Sequence, residues 1–315
     1  MCGIAGFIDI SNRHPDQMIK RMTNTIIHRG PDDEGFWCDI NSGVALGHRR
    51  LSIVDISPAG HQPMHSASGR FVITFNGEIY NYRDLQTELE KNKLAPNWRG
   101  HSDTEVLLAG FDAWGIEKTI KRSIGMFAFA VWDKQERSLT LGRDRIGEKP
   151  LYYGWQNNVF MFASELKALR IHPSFNGDLD RDSLCLFLRH NCIPAPYSIY
   201  NGINKLLAGC LLKVSLCQQE PIISHYWSVA ETALTGQACQ FNGNSNEAVN
   251  ELENLLKDAI HKQMTGSDVP IGAFLSGGID SSIIVALMQA QSACPVKTFS
   301  IGFYEDAYNE AKHAK

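Results

Sequence analysis

The chain has 315 residues, is 43% hydrophobic and 20% charged, and carries a formal net charge of −4. That length suggests about two domains, and mild acidity without a Lys/Arg cluster excludes a basic nucleic-acid binder. No apolar run approaches the ~20 residues of a membrane helix, and the N-terminus lacks the basic-then-apolar order of a secretory signal. Eight cysteines, Cys2, Cys38, Cys185, Cys192, Cys210, Cys217, Cys239 and Cys294, show neither CxxC nor zinc-type spacing. Seven of them therefore read as reduced, mostly buried thiols of a cytoplasmic protein. Cys2 stands apart because it directly follows the initiator methionine.

In chain order, "CGIAGFIDI" predicts a buried strand, and residues 15–31 a helix with Met18, Met22 and Ile26 on one face, stopped at Gly30-Pro31. "FVITF" (71–75) reads as a strand broken by a turn at Asn76-Gly77. "SDTE" (102–105) fits a capping box, with Ser102 as N-cap and Glu105 at N3 of a helix ending near Gly115. "MFAFAVWD", "SLTLGRD", "PLYYGW" and "VFMFASE" follow as short strands, so residues 1 to about 170 read as an α+β sandwich. "NGNSN" (242–246) is the best linker. Beyond it, Val249, Leu252, Leu256 and Ile260 predict a helix with one buried face. "VPIGAFL", "SGGIDSS", "IIVALMQAQ" and "VKTFSIGF" then read as strand, loop, helix and strand, a βαβ unit of a parallel sheet.

An α-amino group titrates near 7.7–8.0 and a thiol near 8.5. A cysteine exposed by loss of Met1 would thus hold a nucleophile and its proton acceptor in one residue, the logic of N-terminal nucleophile enzymes. Acyl transfer also needs an oxyanion site and a substrate clamp. An Asn amide and a Gly backbone N–H at "NGE" (76–78) suit the first, and an arginine of "HRRLSIVD" suits a carboxylate. Asp103 lies at the first turn of a capped helix, where a carboxylate is stabilised in any case. Taken singly, a plain turn, a solvated arginine pair and a helix-end acid explain these features as well.

The order "CGIAGF", "HRGPDDEG", "HRRLSIVD", "FNGEIYN", "SDTE" and "RDRIGEKPLYY…FASELKAL" resembles the class II glutamine amidotransferase half of glutamine-hydrolysing asparagine synthetases, across most of residues 2–170. The resemblance implies an N-terminal nucleophile sandwich of antiparallel sheets with helices. It implies Cys2 as the nucleophile forming a γ-glutamyl thioester, with Asn76 and Gly77 as the oxyanion hole. Arg50, the arginine directly before "LSIV", would bind the glutamine α-carboxylate; Glu78 and Asp103 would hold the α-amino group. The backbone of Ile53 and Val54 would line the same pocket.

"SGGIDSS" (276–282) lacks the Lys of a Walker A loop. Two glycines, a helix N-terminus and serine hydroxyls nevertheless suit phosphates, and Asp280 could hold Mg²⁺. A ligand-free Gly-rich βα turn is the plain alternative. The stretch resembles the pyrophosphatase-type ATP loop of the asparagine synthetase domain, a Rossmann-like parallel-sheet fold. By that resemblance Leu275, Ser276, Gly277, Gly278, Asp280, Ser281, Ser282, Ile301 and Gly302 contact ATP, and ammonia released at Cys2 travels internally to an aspartate adenylated by ATP.

The implied organisation is a glutaminase domain at residues 2–200, a connecting segment at 201–245 and the start of an ATP-binding domain at 246–315. The partners are glutamine, aspartate and ATP, with a homodimer among the assemblies to consider. Amidation of another carboxylate, and a truncated glutaminase or glutamine-binding regulator, are the alternatives. The family continues past the position of Lys315, so the sequence reads as a fragment or as a chain that has lost synthetase activity.

Overall fold

In the computed structural model, β1 (Gly3–Ile8) is buried along both faces and so needs cover on each. Residues 1–216, 218–305 and 309–314 are described, in two units, Met1–Leu234 and Thr235–Lys315. Unit 1 continues through α1 (Pro15–Asn24), β2 (Asp33–Asp39), β3 (Val44–Arg50), β4 (Met64–His65), β5 (Phe71–Ile79), α2 (Tyr82–Lys91), α3 (Asp103–Trp114) and α4 (Ile116–Arg122). It then runs through β6 (Gly125–Asp133), β7 (Ser138–Arg143), β8 (Tyr152–Gln156), β9 (Val159–Ala163), α5 (Leu166–Leu169) and α6 (Arg181–His190). Strands β10 (Ile203–Lys205), β11 (Cys210–Ser215) and β12 (Gln218–His225) complete its sheets.

One antiparallel sheet has the order β10-β8-β9-β1-β3-β2, the other β12-β11-β7-β6-β5-β4. Successive side chains of a strand point to opposite faces, which sorts the core into layers. Ile4, Ile8, Val44 and Leu46 of the first sheet meet Val72, Ala128, Ala130, Trp132 and Leu141 of the second. On the outer face of the first sheet, Ala5, Phe7 and Ala45 pack under Met18, Ile19 and Met22 of α1. On the outer face of the second, Phe71, Ile73, Phe75 and Phe129 pack under Leu85 and Leu89 of α2 and Leu107 and Phe111 of α3. The result is helix, sheet, sheet, helix, the antiparallel sandwich expected from the sequence.

Local differences have local causes. Helix α1 stops at Asn24, before Gly30-Pro31, where the Thr25 hydroxyl takes the Met22 carbonyl at 2.7 Å; Ile27–Arg29 adds one 3-10 turn. No turn interrupts β5 at Asn76-Gly77: pairing with β6 is continuous from Phe71↔Asp133 to Ile79↔Gly125. Neither residue has the positive φ of a tight hairpin, and Gly77 is required by close approach, since a Cβ there would lie 2.2 Å from the Met126 carbonyl oxygen. Strands β10, β11 and β12, within the expected connecting segment, extend both sheets because Leu212 and Val214 enter the central core and Leu211 an outer one. Ser102 caps α3 through Glu105 N at 3.2 Å, but the Glu105 carboxylate accepts instead from Arg99 N and Gly100 N.

After α7 (Val229–Ala238), α8 (Ser245–Thr265) carries a reciprocal capping box, Asn244 with Glu247, that the sequence reading passed over. Of its predicted buried face, Ile260 is buried, Leu256 half-buried, and Val249 and Leu252 exposed, because a two-stranded sheet supplies little surface to cover them. That sheet pairs β13 (Gly272–Phe274) with β14 (Lys297–Phe299) in parallel, with α9 (Ile279–Ala290) as the crossover. The cysteines are not mostly buried: Cys185, Cys192, Cys239 and Cys294 are exposed on helix and loop surfaces, Cys38 is half-buried and Cys210 buried. These are free thiols, and Cys217 lies outside the described residues. Among the described residues no helix is long and apolar enough to cross a membrane.

Candidate active site

Strand parity builds the first site. Arg50 shares a face of β3 with Val44 and Leu46, and Asn76 shares a face of β5 with Val72, the faces that meet in the central core. Gly3 pairs with Arg49, so continuing that register by one residue sets Cys2 opposite Arg50. Cys2, Arg50 and Asn76 thus converge where the two sheets part, in a pocket that Ile53, Val54, Gly77, Glu78 and Asp103 also line. All eight residues to which the resemblance gives a role in glutamine hydrolysis meet there. Arg49, on the opposite face, instead pairs with Glu34 at 2.5 Å.

Arg29 Nε donates to the Cys2 carbonyl at 2.9 Å and its guanidinium pairs with Glu165 at 3.1 Å, fixing the first residues of the chain. Cys2 Sγ accepts from Leu51 N at 3.3 Å. Burial pushes the thiol above its ordinary range, against the pull of that N–H, the Met1 amine and Arg50. The resting group is therefore a thiol that needs a base. Burial, with Arg29 and Lys149, holds the Met1 amine below its usual value.

Asn76 is buried, yet both atoms of its side-chain amide lack a hydrogen-bond partner. A buried unpaired amide costs about 1–3 kcal/mol, so its retention in a pocket wall suits a ligand that supplies the missing acceptor. Arg50 donates to the carbonyls of Val54 at 3.4 Å and Ser57 at 3.2 Å, and to that of Asp55. Those bonds aim the guanidinium without neutralising it. Asp103 accepts from Ile79 N at 2.9 Å and Thr104 N at 2.7 Å, while burial raises its carboxyl to about 6. Burial likewise raises Glu78, with Lys149 opposing. Gln62 ties the walls together, accepting from Phe75 N at 2.7 Å and donating to Thr104 Oγ1 at 3.4 Å.

Lys149 and Met126 also line this pocket and were given no role from sequence. Lys149 stands inside "RDRIGEKPLYY", where a lone cation just before an apolar run was the available signal.

The second loop belongs to unit 2. Gly277 has φ +80, and Gly278 precedes α9 without a side-chain cap, so the first N–H groups of that helix are left for a ligand. Ser276 Oγ and Ser281 Oγ lie 3.0 Å apart, Ser282 Oγ donates to the Gly278 carbonyl at 2.8 Å, and Leu275 N donates to the Phe299 carbonyl at 2.8 Å. Asp280 sits in the first helical turn, and Ile301 and Gly302 are exposed beyond β14. This donor set fits phosphate oxygens. Among the described residues no three His, Cys, Asp or Glu side chains gather as a metal site, so Asp280 offers Mg²⁺ one carboxylate.

Comparison with known proteins matches residues 1–227 to the glutamine amidotransferase domain and residues 251–315 to asparagine synthase. The chain is 36% identical to the putative asparagine synthetase [glutamine-hydrolyzing] 2 of Methanocaldococcus jannaschii, over 100% of this chain and 62% of that protein. It is 35% identical to asparagine synthetase [glutamine-hydrolyzing] 1 of Bacillus subtilis, over 99% of this chain and 48% of that one. It therefore spans about half to two thirds of these relatives. Among solved structures, the glutamine phosphoribosylpyrophosphate amidotransferase of B. subtilis aligns over 98% of this chain and 68% of its own, with TM-score 0.51 and 15% identity, a likeness of fold.

Proposed function

The chain belongs to the glutamine amidotransferase domain family, and from that premise we propose that Cys2, freed of Met1, hydrolyses the side-chain amide of glutamine to feed ammonia to an ATP-dependent synthesis of asparagine. The observation that carries the first half is the unpartnered Asn76 amide in the pocket that holds Cys2.

The Cys2 thiol passes its proton to its own α-amine, and the sulfur attacks the glutamine side-chain carbonyl carbon. The carbonyl electron pair moves to oxygen, where Asn76 and the Gly77 backbone N–H receive it. Collapse breaks the carbon–nitrogen bond as the departing nitrogen takes the proton from the α-ammonium group, so ammonia leaves and a thioester remains. Water then adds with its proton going to the amine, and a second collapse releases glutamate and restores the thiol. Arg50 holds the substrate carboxylate throughout, and Asp103 with Glu78 its ammonium group.

For the second half, the 276–282 loop and the start of α9 would hold the ATP phosphates, with Leu275, Ile301 and Gly302 nearby and Mg²⁺ arriving on the phosphates beside Asp280. The aspartate β-carboxylate would displace pyrophosphate from the α-phosphorus, and ammonia would displace AMP. The test is release of glutamate and ammonia from L-glutamine, followed by aspartate-dependent pyrophosphate release in the full-length protein. A folded, Met1-free protein that leaves glutamine intact overturns the first half; pyrophosphate release indifferent to aspartate overturns the second.

Arg50→Lys and Asp103→Asn are expected to raise KM for glutamine more than they lower kcat, since they hold groups that do not react. Replacing a guanidinium fork by a point charge costs about 1.5–3 kcal/mol of binding. Steady-state kinetics in which kcat falls while KM stays constant would contradict these roles.

Asp103 also sets a pH dependence. Its raised value, about 6, means the carboxylate is charged above that pH and neutral below it. KM for glutamine should therefore rise as pH falls through about 6, approaching tenfold per unit. In Asp103→Asn this rise should disappear. An unchanged acid-side KM profile in that variant would remove Asp103 from substrate binding.

A further inference from the structure

Strand β4 pairs with β5 at Val72 and Ile73, so the end of β5 that carries Asn76 and Gly77 runs on past it. A strand edge is a row of backbone N–H and C=O groups, with every second residue presenting its pair outward. Continuing the β4 register by two residues sets Gln62 opposite Phe75. There the Gln62 side chain takes the place of a neighbouring strand, Oε1 accepting from Phe75 N at 2.7 Å. The Phe75 carbonyl accepts from His48 Nε2 of β3 at 2.9 Å. Four residues on, Ile79 N donates to Asp103 Oδ2 at 2.9 Å. Phe75 and Ile79 thus both turn their N–H away from β6, and by alternation so does Gly77 between them. Gly77 lines the Cys2 pocket, so its N–H stands between two outward donors that side chains have already claimed.

Gln62 is 6% exposed and lines the same pocket, and its other end, Nε2, donates to Thr104 Oγ1 at 3.4 Å. The Thr104 hydroxyl gives its own hydrogen to Asp103 Oδ1 at 3.3 Å, so it is free to accept. That order of donors fixes the Gln62 amide with its oxygen toward Phe75. We propose that Gln62 is a positioning residue of the glutaminase reaction, capping the β5 edge at Phe75 so that the Asn76 amide and the Gly77 N–H are held where one oxyanion can collect both. The proposal rests on the glutaminase reading. An oxyanion hole is effective when its donors are fixed before the charge develops. Without Gln62 the Phe75 N–H, adjacent in the chain to Asn76, is left unpaired at the pocket wall, and the strand end shifts to find another acceptor.

The test compares wild type, Gln62→Met and Gln62→Glu by steady-state glutaminase kinetics and by the rate of Cys2 alkylation with iodoacetamide in the absence of glutamine. Methionine matches glutamine in length but offers Phe75 N only a weak acceptor. It should lower kcat by about tenfold or more, with KM changed by less than about threefold. Alkylation develops no oxyanion and should change by less than about twofold. Glutamate keeps an oxygen for Phe75 N, and burial favours its protonated form, whose O–H can face Thr104. Gln62→Glu should therefore hold kcat within about threefold of wild type. A folded Gln62→Met protein with unchanged kcat overturns the proposal, as does a raised KM at constant kcat, which would place Gln62 in the substrate clamp. Alkylation that slows in step with kcat overturns it as well, by making Gln62 plain scaffold. So does a tenfold slower Gln62→Glu protein, whether or not Gln62→Met folds. Folded, Met1-free wild type that leaves glutamine intact removes the glutaminase reading and this proposal with it. Active wild type beside an unaffected Gln62→Met isolates the failure to Gln62.

Discussion

Cys2→Ala is expected to abolish glutamine hydrolysis, by more than about 10³-fold, while unit 1 stays folded. The variant removes the sulfur that would carry the acyl group. Little structure depends on that atom: Sγ contacts the backbone of Leu51 at 3.3 Å and 3.6 Å and joins no core cluster. Loss of such a partly buried, weak hydrogen bond costs about 1 kcal/mol or less. The same reading requires Met1 to be absent from active protein, because an acylated Cys2 nitrogen is an amide and accepts no proton. Intact-mass spectrometry checks this, and full activity with Met1 retained would sink the mechanism. So would a glutaminase rate that survives in the alanine variant.

The sandwich was legible because its strands advertise themselves: "FAFAVW" and "FMFA" are apolar on both faces, and a strand so patterned has to lie between layers. The parallel β13–α9–β14 unit was legible for a related reason, a continuous apolar strand followed by a glycine loop and an apolar helix. Asn76-Gly77 misled because the dipeptide that starts a hairpin is also one that can sit flat inside a strand. Only the approach of the Met126 carbonyl, 2.2 Å from a hypothetical Cβ, shows why glycine is needed there without a turn. Strands β10–β12 escaped because their alternation is short and broken by Lys213, and their burial depends on sheets formed by residues far earlier in the chain.

The site was legible in its residue types rather than its geometry. Nothing local in "HRRLSIVD" separates Arg49 from Arg50; the parity of β3 against the central core does. Lys149 was invisible as a pocket residue because only the fold brings it to the same pocket wall as Met1, Cys2 and Glu78. The exposed α8 face shows the converse, a periodicity that predicts an apolar stripe without predicting what covers it.

Asn76→Ala should lower kcat for glutamine hydrolysis by about 10²–10³-fold, the usual cost of removing one oxyanion donor, with a small change in KM. The sign of its effect on stability separates a catalytic amide from a structural one. An amide that held the fold together would be bonded, and its loss would lower the melting temperature. Here neither Nδ2 nor Oδ1 has a partner, so the free protein bears the cost of burying both. Alanine relieves that cost but leaves a small void, two opposing effects of about 1–2 kcal/mol each. The melting temperature should therefore stay level or rise while kcat collapses. Asn76→Asp should be slower still, since a carboxylate at that position repels the developing oxyanion. Thermal unfolding and single-turnover kinetics on the same preparations decide the matter. A melting temperature that falls in step with kcat would make Asn76 part of the scaffold, and an Asn76→Asp enzyme faster than Asn76→Ala would place the oxyanion elsewhere.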